Sequence, residues 1–232
     1  GASGIGAASV ESFCEQSSSV YFLDINDTLA NKLIKKIKQK KLKVPKYFNC
    51  DLLNIKELQN TIKKIGNVNV LINNAGNDDR HTIDEITEEY FHNRINLNLK
   101  HYLFAAQAVK NGMIKNKSGS IINLSSVNWI RGASGFIVYS TAKSAIFGFT
   151  RSLAKELGKN NIRVNAISPG SVATERQTKL WLKPKLKKEI LSLQCLKRQL
   201  LPKDIANLAL FLASDQSSGC TKQNFIVDAG LS

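Results

Sequence analysis

Ser120-Ile-Ile-Asn-Leu124, then Ser126, then Tyr139-Ser140-Thr141-Ala142-Lys143 are the residues whose reading decides how this chain folds. The first is a short apolar run of the kind buried on both faces of a parallel sheet. Ser126 therefore falls where such a strand opens into a loop at its carboxyl end. Tyr139 and Lys143 stand one helical turn apart and share a face. There the ammonium charge favours ionisation of the phenol, whose reference pKa is about 10, and draws it toward the range of a general base. Alone, Tyr-x-x-x-Lys is also an ordinary amphipathic pair, so its surroundings decide between the two readings.

Those surroundings alternate between strand and helix. Val20-Tyr-Phe-Leu23 reads as a strand ending on Asp24, followed by a helix over 28–41, in front of which Asp27 can act as a cap. A strand ends near Tyr47-Phe-Asn-Cys50, a helix covers 54–65, and Val68-Asn-Val-Leu-Ile72 is a buried strand that exits into Asn73-Asn74-Ala75-Gly76. Helices follow at 87–115, with Asn98 inside it, and at 138–157, then a strand at 162–167 and Ser168-Pro169-Gly170. A Lys-rich helical stretch over 175–196, within a region near 171–198, is placed to cover a pocket as a lid. This order predicts a single α/β domain over 1–232 with its site at the carboxyl ends of parallel strands.

Composition excludes several classes. With 232 residues and 43% hydrophobic content, the chain can bury one sizeable core. No apolar run approaches a membrane span, and no charged segment followed by an apolar one opens the chain, so a soluble protein is expected. Cys14, Cys50, Cys195 and Cys220 are scattered without metal-ligand spacing. No metal is expected, and reduced thiols fit a cytoplasmic location. The formal net charge of +15 points toward nucleic acid only if the cations cluster. Instead they spread over helix exteriors, as in Asn31-Lys-Leu-Ile-Lys-Lys-Ile-Lys38, where a solvated face is the simpler reading.

Taken together, the Gly-rich turn Gly1-Ala-Ser-Gly4-Ile5-Gly6, Asn73-Asn74-Ala75-Gly76, Asn98, Ser126, Tyr139, Lys143 and Pro169-Gly170-Ser-Val-Ala-Thr174 resemble the short-chain dehydrogenase/reductase family over nearly the whole chain. The resemblance implies a Rossmann-type doubly wound parallel sheet of strand order 3-2-1-4-5-6-7. It implies a catalytic tetrad of Asn98, Ser126, Tyr139 and Lys143. It also implies dinucleotide contacts from Ser3, Gly4, Ile5, Gly6, Asp24, Ile25, Asp51, Leu52, Asn74, Ala75, Gly76, Tyr139, Lys143, Pro169, Gly170, Val172 and Thr174. The first strand of that fold is apparently missing from the given chain, and its place is central. Without it two neighbouring strands would expose backbone edges, so the chain is expected not to work alone, and a parent with roughly ten more residues is expected.

Asp24, at the end of its strand, accepts hydrogen bonds from an adenosine ribose and repels a 2′-phosphate, so NAD is favoured over NADP. Asn77-Asp78-Asp79-Arg80-His81 departs from the general family pattern. It reads either as part of a site for a hydroxyl-rich substrate or as a surface ion-pair loop. Asp79, His81, Ser126, Asn128, Trp129 and Arg176 are the candidate substrate residues. Thr174-Glu-Arg-Gln177, Leu180-Trp-Leu182, Gln194-Cys-Leu-Lys-Arg198 and Gln223-Asn-Phe-Ile-Val-Asp228 resemble the branch that oxidises aldoses at the anomeric carbon to a lactone. Ser171 and Ala229 depart from that branch, which often has Trp and Gly there. Other readings are a carbonyl or 3-oxoacyl reductase, or a catalytically idle oligomeric binding protein. Leu99, Leu103, Phe104, Ala105, Ala106 and Phe147-Gly-Phe149 make up the expected homotetramer or homodimer interface.

Overall fold

A computed structural model describes residues 1–232. Its elements run α1 (Gly4–Glu15), β1 (Tyr21–Asp24), α2 (Asp27–Gln39), β2 (Lys46–Asn49), α3 (Ile55–Ile65), β3 (Val70–Asn73), α4 (Glu88–Ile95) and α5 (His101–Asn116) in the first half. The second half has β4 (Gly119–Leu124), α6 (Asn128–Arg131), α7 (Ile137–Leu157), β5 (Ile162–Pro169), α8 (Glu175–Leu180), α9 (Pro184–Leu193), α10 (Pro202–Ala213) and β6 (Asn224–Val227). The strand and helix alternation predicted from the sequence is present, with ends shifted by one to three residues.

Local chemistry sets those ends. Asn26 accepts the Leu29 amide at 2.9 Å, so it caps α2, and Asp27 instead accepts the Tyr47 phenol at 2.8 Å. Asn54 and Thr87 cap α3 and α4 in the same way, while α9 and α10 open on Pro184 and Pro202, whose missing N–H costs nothing at that place. The helix predicted over 87–115 is interrupted: Asn96–Lys100 form a π-helical turn between α4 and α5, with Asn98 fully buried inside it.

All strand pairs are parallel. β3, β4, β5 and β6 form a four-stranded sheet in that order, and β1 pairs with β2 in a separate two-stranded sheet. Successive side chains of β4 point to opposite faces, so Ile121 packs with Met113, Leu157 and Val164 while Ile122 packs with Ile167, Ile205 and Leu212. Burial on both faces is what makes the sheet doubly wound. A third cluster of Val10, Phe22, Ala30, Leu33 and Ile37 holds α1 and α2 on β1. The structure has six strands, the number expected when the first of the seven in the complete order is missing. Between β1 and β3, at the expected place of the central strand, lies a cavity of about 590 Å³ lined by Val10, Phe13, Phe22, Ile72 and Val109. No helix is long and apolar enough to cross a membrane.

Candidate active site

The site forms where β3, β4 and β5 end. Buried asparagines fix the strands relative to α7: Asn73 Nδ2 donates to Asn123 Oδ1 at 2.9 Å, and Asn123 Nδ2 donates to Thr150 Oγ1 at 3.0 Å. These two asparagines sit opposite one another in the β3–β4 register. Just beyond, the Ser125 hydroxyl donates to the carbonyl of Lys143 at 2.7 Å, which locks α7 onto the end of β4. Ser126, Tyr139, Lys143 and Asn98 are thereby brought to one place, Ser126 at 7% exposure and Lys143 at 3%.

Each member is held differently. Asn98 closes a two-way clamp on residue 77: its Oδ1 accepts the Asn77 amide at 2.8 Å and its Nδ2 donates to the Asn77 carbonyl at 3.1 Å. Lys143 Nζ donates to the Leu124 carbonyl at 2.8 Å and the Tyr102 hydroxyl at 3.2 Å, and lies 5.7 Å from the centre of the Tyr139 ring. Tyr102 was not foreseen from the sequence. It follows Asn98 by one helical turn, and that spacing was the available signal. It is fully buried and donates to the Leu124 carbonyl at 3.0 Å. Neighbouring His101 reaches the Ala75 and Leu97 carbonyls, and burial, with the Lys143 charge nearby, brings its pKa down to about 4.

The protonation balance differs from the sequence expectation. Burial pushes the Tyr139 phenol well above its ordinary value, with Asp78 adding to the rise, while a hydrogen bond with Ser126 and the Arg176 charge work the other way. Burial also brings Lys143 down to about 7. Burial dominates over the expected lowering of Tyr139 by Lys143, since it penalises the phenolate and the ammonium alike.

The cofactor segments converge on the same place. Ser3 stands at the N-cap of α1 without a side-chain cap, so the first-turn amides are left for another acceptor. Gly4 has φ +53°, and a methyl there would stand 3.1 Å from Thr174 Cγ2. One at Gly76 would lie 2.8 Å from Asn98 Oδ1 and 3.2 Å from Lys143 Nζ. This glycine-walled cradle fits a dinucleotide laid from the amino end of α1 toward Lys143. Asp24 ends β1 and accepts the Ala2 and Asn26 amides at 2.7 and 2.9 Å. Ile25 beside it is exposed. Asp51 turns back to the Leu53 amide, and Leu52 packs on the core. Val172 is buried and bridges to Leu200.

Of the candidate substrate residues, the structure turns several toward one another. Arg176, in α8, pairs with Asp78 and with Asp79 at 2.6 Å, and Arg94 pairs with Asp79 at 3.0 Å. His81 is buried, with both ring nitrogens engaged. Trp129 donates to Ser125 Oγ at 3.2 Å and stacks on Phe147, while the Asn128 amide donates to Ser126 Oγ at 3.2 Å. The acidic loop thus ties α8 to the tetrad, and Arg80 lies against the rings of Phe136 and Trp181 beside it.

A family model described as enoyl-(acyl carrier protein) reductase matches residues 1–232. A D-xylose 1-dehydrogenase of Caulobacter vibrioides is 44% identical over 230 residues, 99% of this chain and 92% of that one. A probable galactose dehydrogenase of Rhizobium meliloti is 41% identical over 235 residues, covering 100% of this chain and 92% of its own. The crystal structure of a 3-oxoacyl-[acyl-carrier protein] reductase with bound NAD from Brucella melitensis superposes with a TM-score of 0.89 at 32% identity, over 99% of this chain and 87% of that one. With this match along its whole length, the doubly wound fold and the converging motifs, the chain belongs to the short-chain dehydrogenase/reductase family, oxidoreductases that work with nicotinamide dinucleotides.

Proposed function

We propose that the protein oxidises a neutral monosaccharide at its anomeric hydroxyl, passing hydride to NAD and releasing a lactone. The observation that carries this reading is the polar rim: Asp78, Asp79, Arg176 and Gln177 meet directly beside the tetrad, where a hydroxyl-rich substrate is better served than an acyl chain. The 44% and 41% identities to a xylose and a galactose dehydrogenase support it. Asp24, at the end of β1, supports NAD over NADP, since its charge repels a 2′-phosphate.

In this reading Tyr139 takes the proton of the anomeric hydroxyl as the C–H hydrogen leaves as hydride, and Ser126 hydrogen-bonds the same oxygen. NAD, when bound, supplies the hydride acceptor and a positive charge. Burial and the Asp78 charge disfavour the phenolate, so added positive charge beside the ring helps it form. Lys143, kept from drifting by Leu124 and Tyr102, aids the same change in its protonated form. Asn98 holds residue 77, and with it the rim loop, against the tetrad. Exposed Phe91 and Leu103 support a homodimer or homotetramer interface on α4 and α5, whereas Ala105 and Ala106 are buried within this chain. The four free cysteines suit a cytoplasmic location.

The test is a panel of pentoses, hexoses, alcohols and 3-oxoacyl thioesters assayed with NAD and with NADP by nicotinamide absorbance. Turnover of a pentose or hexose with NAD is the expected result. Activity confined to thioesters would replace this reading with the reductase one, which the Brucella structure favours.

A further inference from the structure

The position of α7 decides where Tyr139 delivers its phenol, yet its amino end carries no cap of its own. Phe136 occupies the N-cap position and makes no side-chain cap hydrogen bond. A first turn without a cap leaves amide donors needing partners. One of them, the amide of buried Val138, donates to His81 Nε2 at 3.1 Å, from a loop far away in sequence. A second bond closes the junction: the His81 amide donates to the Gly135 carbonyl at 3.0 Å.

The ring has no freedom left. A backbone amide only donates, so Nε2 is the acceptor and the ring proton sits on Nδ1. That nitrogen faces the Asp79 carbonyl at 3.2 Å and the Tyr90 hydroxyl at 2.9 Å. The Tyr90 ring meets it edge-on, with centroids 5.1 Å apart. His81 is 5% exposed.

We infer that His81 is a positioning residue: it caps α7 from outside through the Val138 amide and so fixes Tyr139, the next residue along. The inference rests on reading Tyr139 as the base. Lys143 lies one turn deeper and has its own anchors, the Leu124 carbonyl for its ammonium and the Ser125 hydroxyl for its backbone. Loss of His81 therefore loosens the first turn of α7 while the Lys143 turn stays in place. The effect falls on the chemical step and spares dinucleotide binding.

Two variants test it. His81→Leu keeps apolar bulk and removes the acceptor, whereas His81→Gln keeps an acceptor within reach of the place of Nε2. Loss of one cap is worth about tenfold in local opening. Amide exchange over 137–142 should therefore quicken about tenfold in His81→Leu, with 150–157 unchanged, and recover in His81→Gln. With NAD and D-xylose or D-galactose, whichever turns over faster, kcat should fall about 10- to 100-fold in His81→Leu, as for a misplaced catalytic group. It should return to within about threefold of wild type in His81→Gln, and the Kd for NAD should stay within about twofold in both.

Unchanged exchange over 137–142 in His81→Leu, or wild-type kcat with only a lower Tm, would overturn the inference. So would a folded His81→Gln that exchanges and turns over as poorly as the Leu variant. If His81→Leu does not fold, the Gln variant decides alone: a folded protein more than about tenfold down in kcat refutes the cap. Should Tyr139→Phe keep its turnover, it is the base reading that fails, and the exchange experiment still judges the cap.

Discussion

The floor of the site and the helices α8 and α9, which we propose as its lid, are built in opposite ways. On the floor, Asn98, Lys143, Tyr102 and Ser126 are buried and held by hydrogen bonds from β4, α5, α6 and the loop after β3. The lid helices α8 and α9 contain no buried residue, and α8 is tied down by ion pairs that remain partly exposed. A buried polar network must be complete or it is costly, so it holds one geometry. Exposed ion pairs are weak and open readily, which suits a part that must admit a substrate. Damage to the floor should therefore appear in the chemical step and damage to the lid in substrate capture.

The largest expected effect comes from Tyr139→Phe. Removing the hydroxyl and keeping the ring should lower kcat by about 10²- to 10⁴-fold with NAD binding retained, read by steady-state rates beside a direct NAD titration. A variant that turns over at the wild-type rate would take the base off the floor.

Lys143→Met sharpens the contrast by separating function from stability. Lys143 has a folded pKa of about 7 against an ordinary 10.5. Between those values the unfolded chain holds a proton that the folded one lacks, so this residue makes stability rise with pH across that window. The Met variant should lose that slope and melt higher than wild type at pH 6, while losing most of its turnover. Thermal melts from pH 6 to 10 check it, and a slope that persists in the variant would assign it to other groups.

The smallest effect belongs to the lid. Arg176→Ala removes the pairing with Asp78 and Asp79. It should raise KM for the sugar about two- to fivefold with kcat nearly unchanged, in keeping with the modest worth of exposed pairs. A large fall in kcat with no change in KM would mean that the lid belongs to the catalytic floor and that the two regions are not distinct.

Much of the site was legible beforehand because its signals are local. Tyr139 and Lys143 lie one turn apart, Ser126 follows an apolar strand, and the glycines of the first turn precede a helix. Strand and helix periods then bring all of these to the carboxyl ends of one sheet. The roles of His81 and Arg176 were less legible. As a polar loop and a charge on a Lys-rich stretch they suited substrate contacts, and in the fold His81 meets the amino end of α7 while Arg176 meets Asp78 and Asp79. Residues so far apart in the chain carry no periodic signal of their contact.

By itself the sequence determined the alternation of strands and helices and the doubly wound class, because each follows from short-range spacing and burial preference, and it singled out Asn98, Ser126, Tyr139 and Lys143 as the proposed tetrad. Only the tertiary structure decided the Asn73–Asn123–Thr150 ladder, the sharing of Lys143 with Tyr102 and the upward shift of the Tyr139 phenol. The first two depend on which elements pack together. The third depends on how much water that packing removes, and desolvation is a property of the assembled core that no residue pattern carries alone.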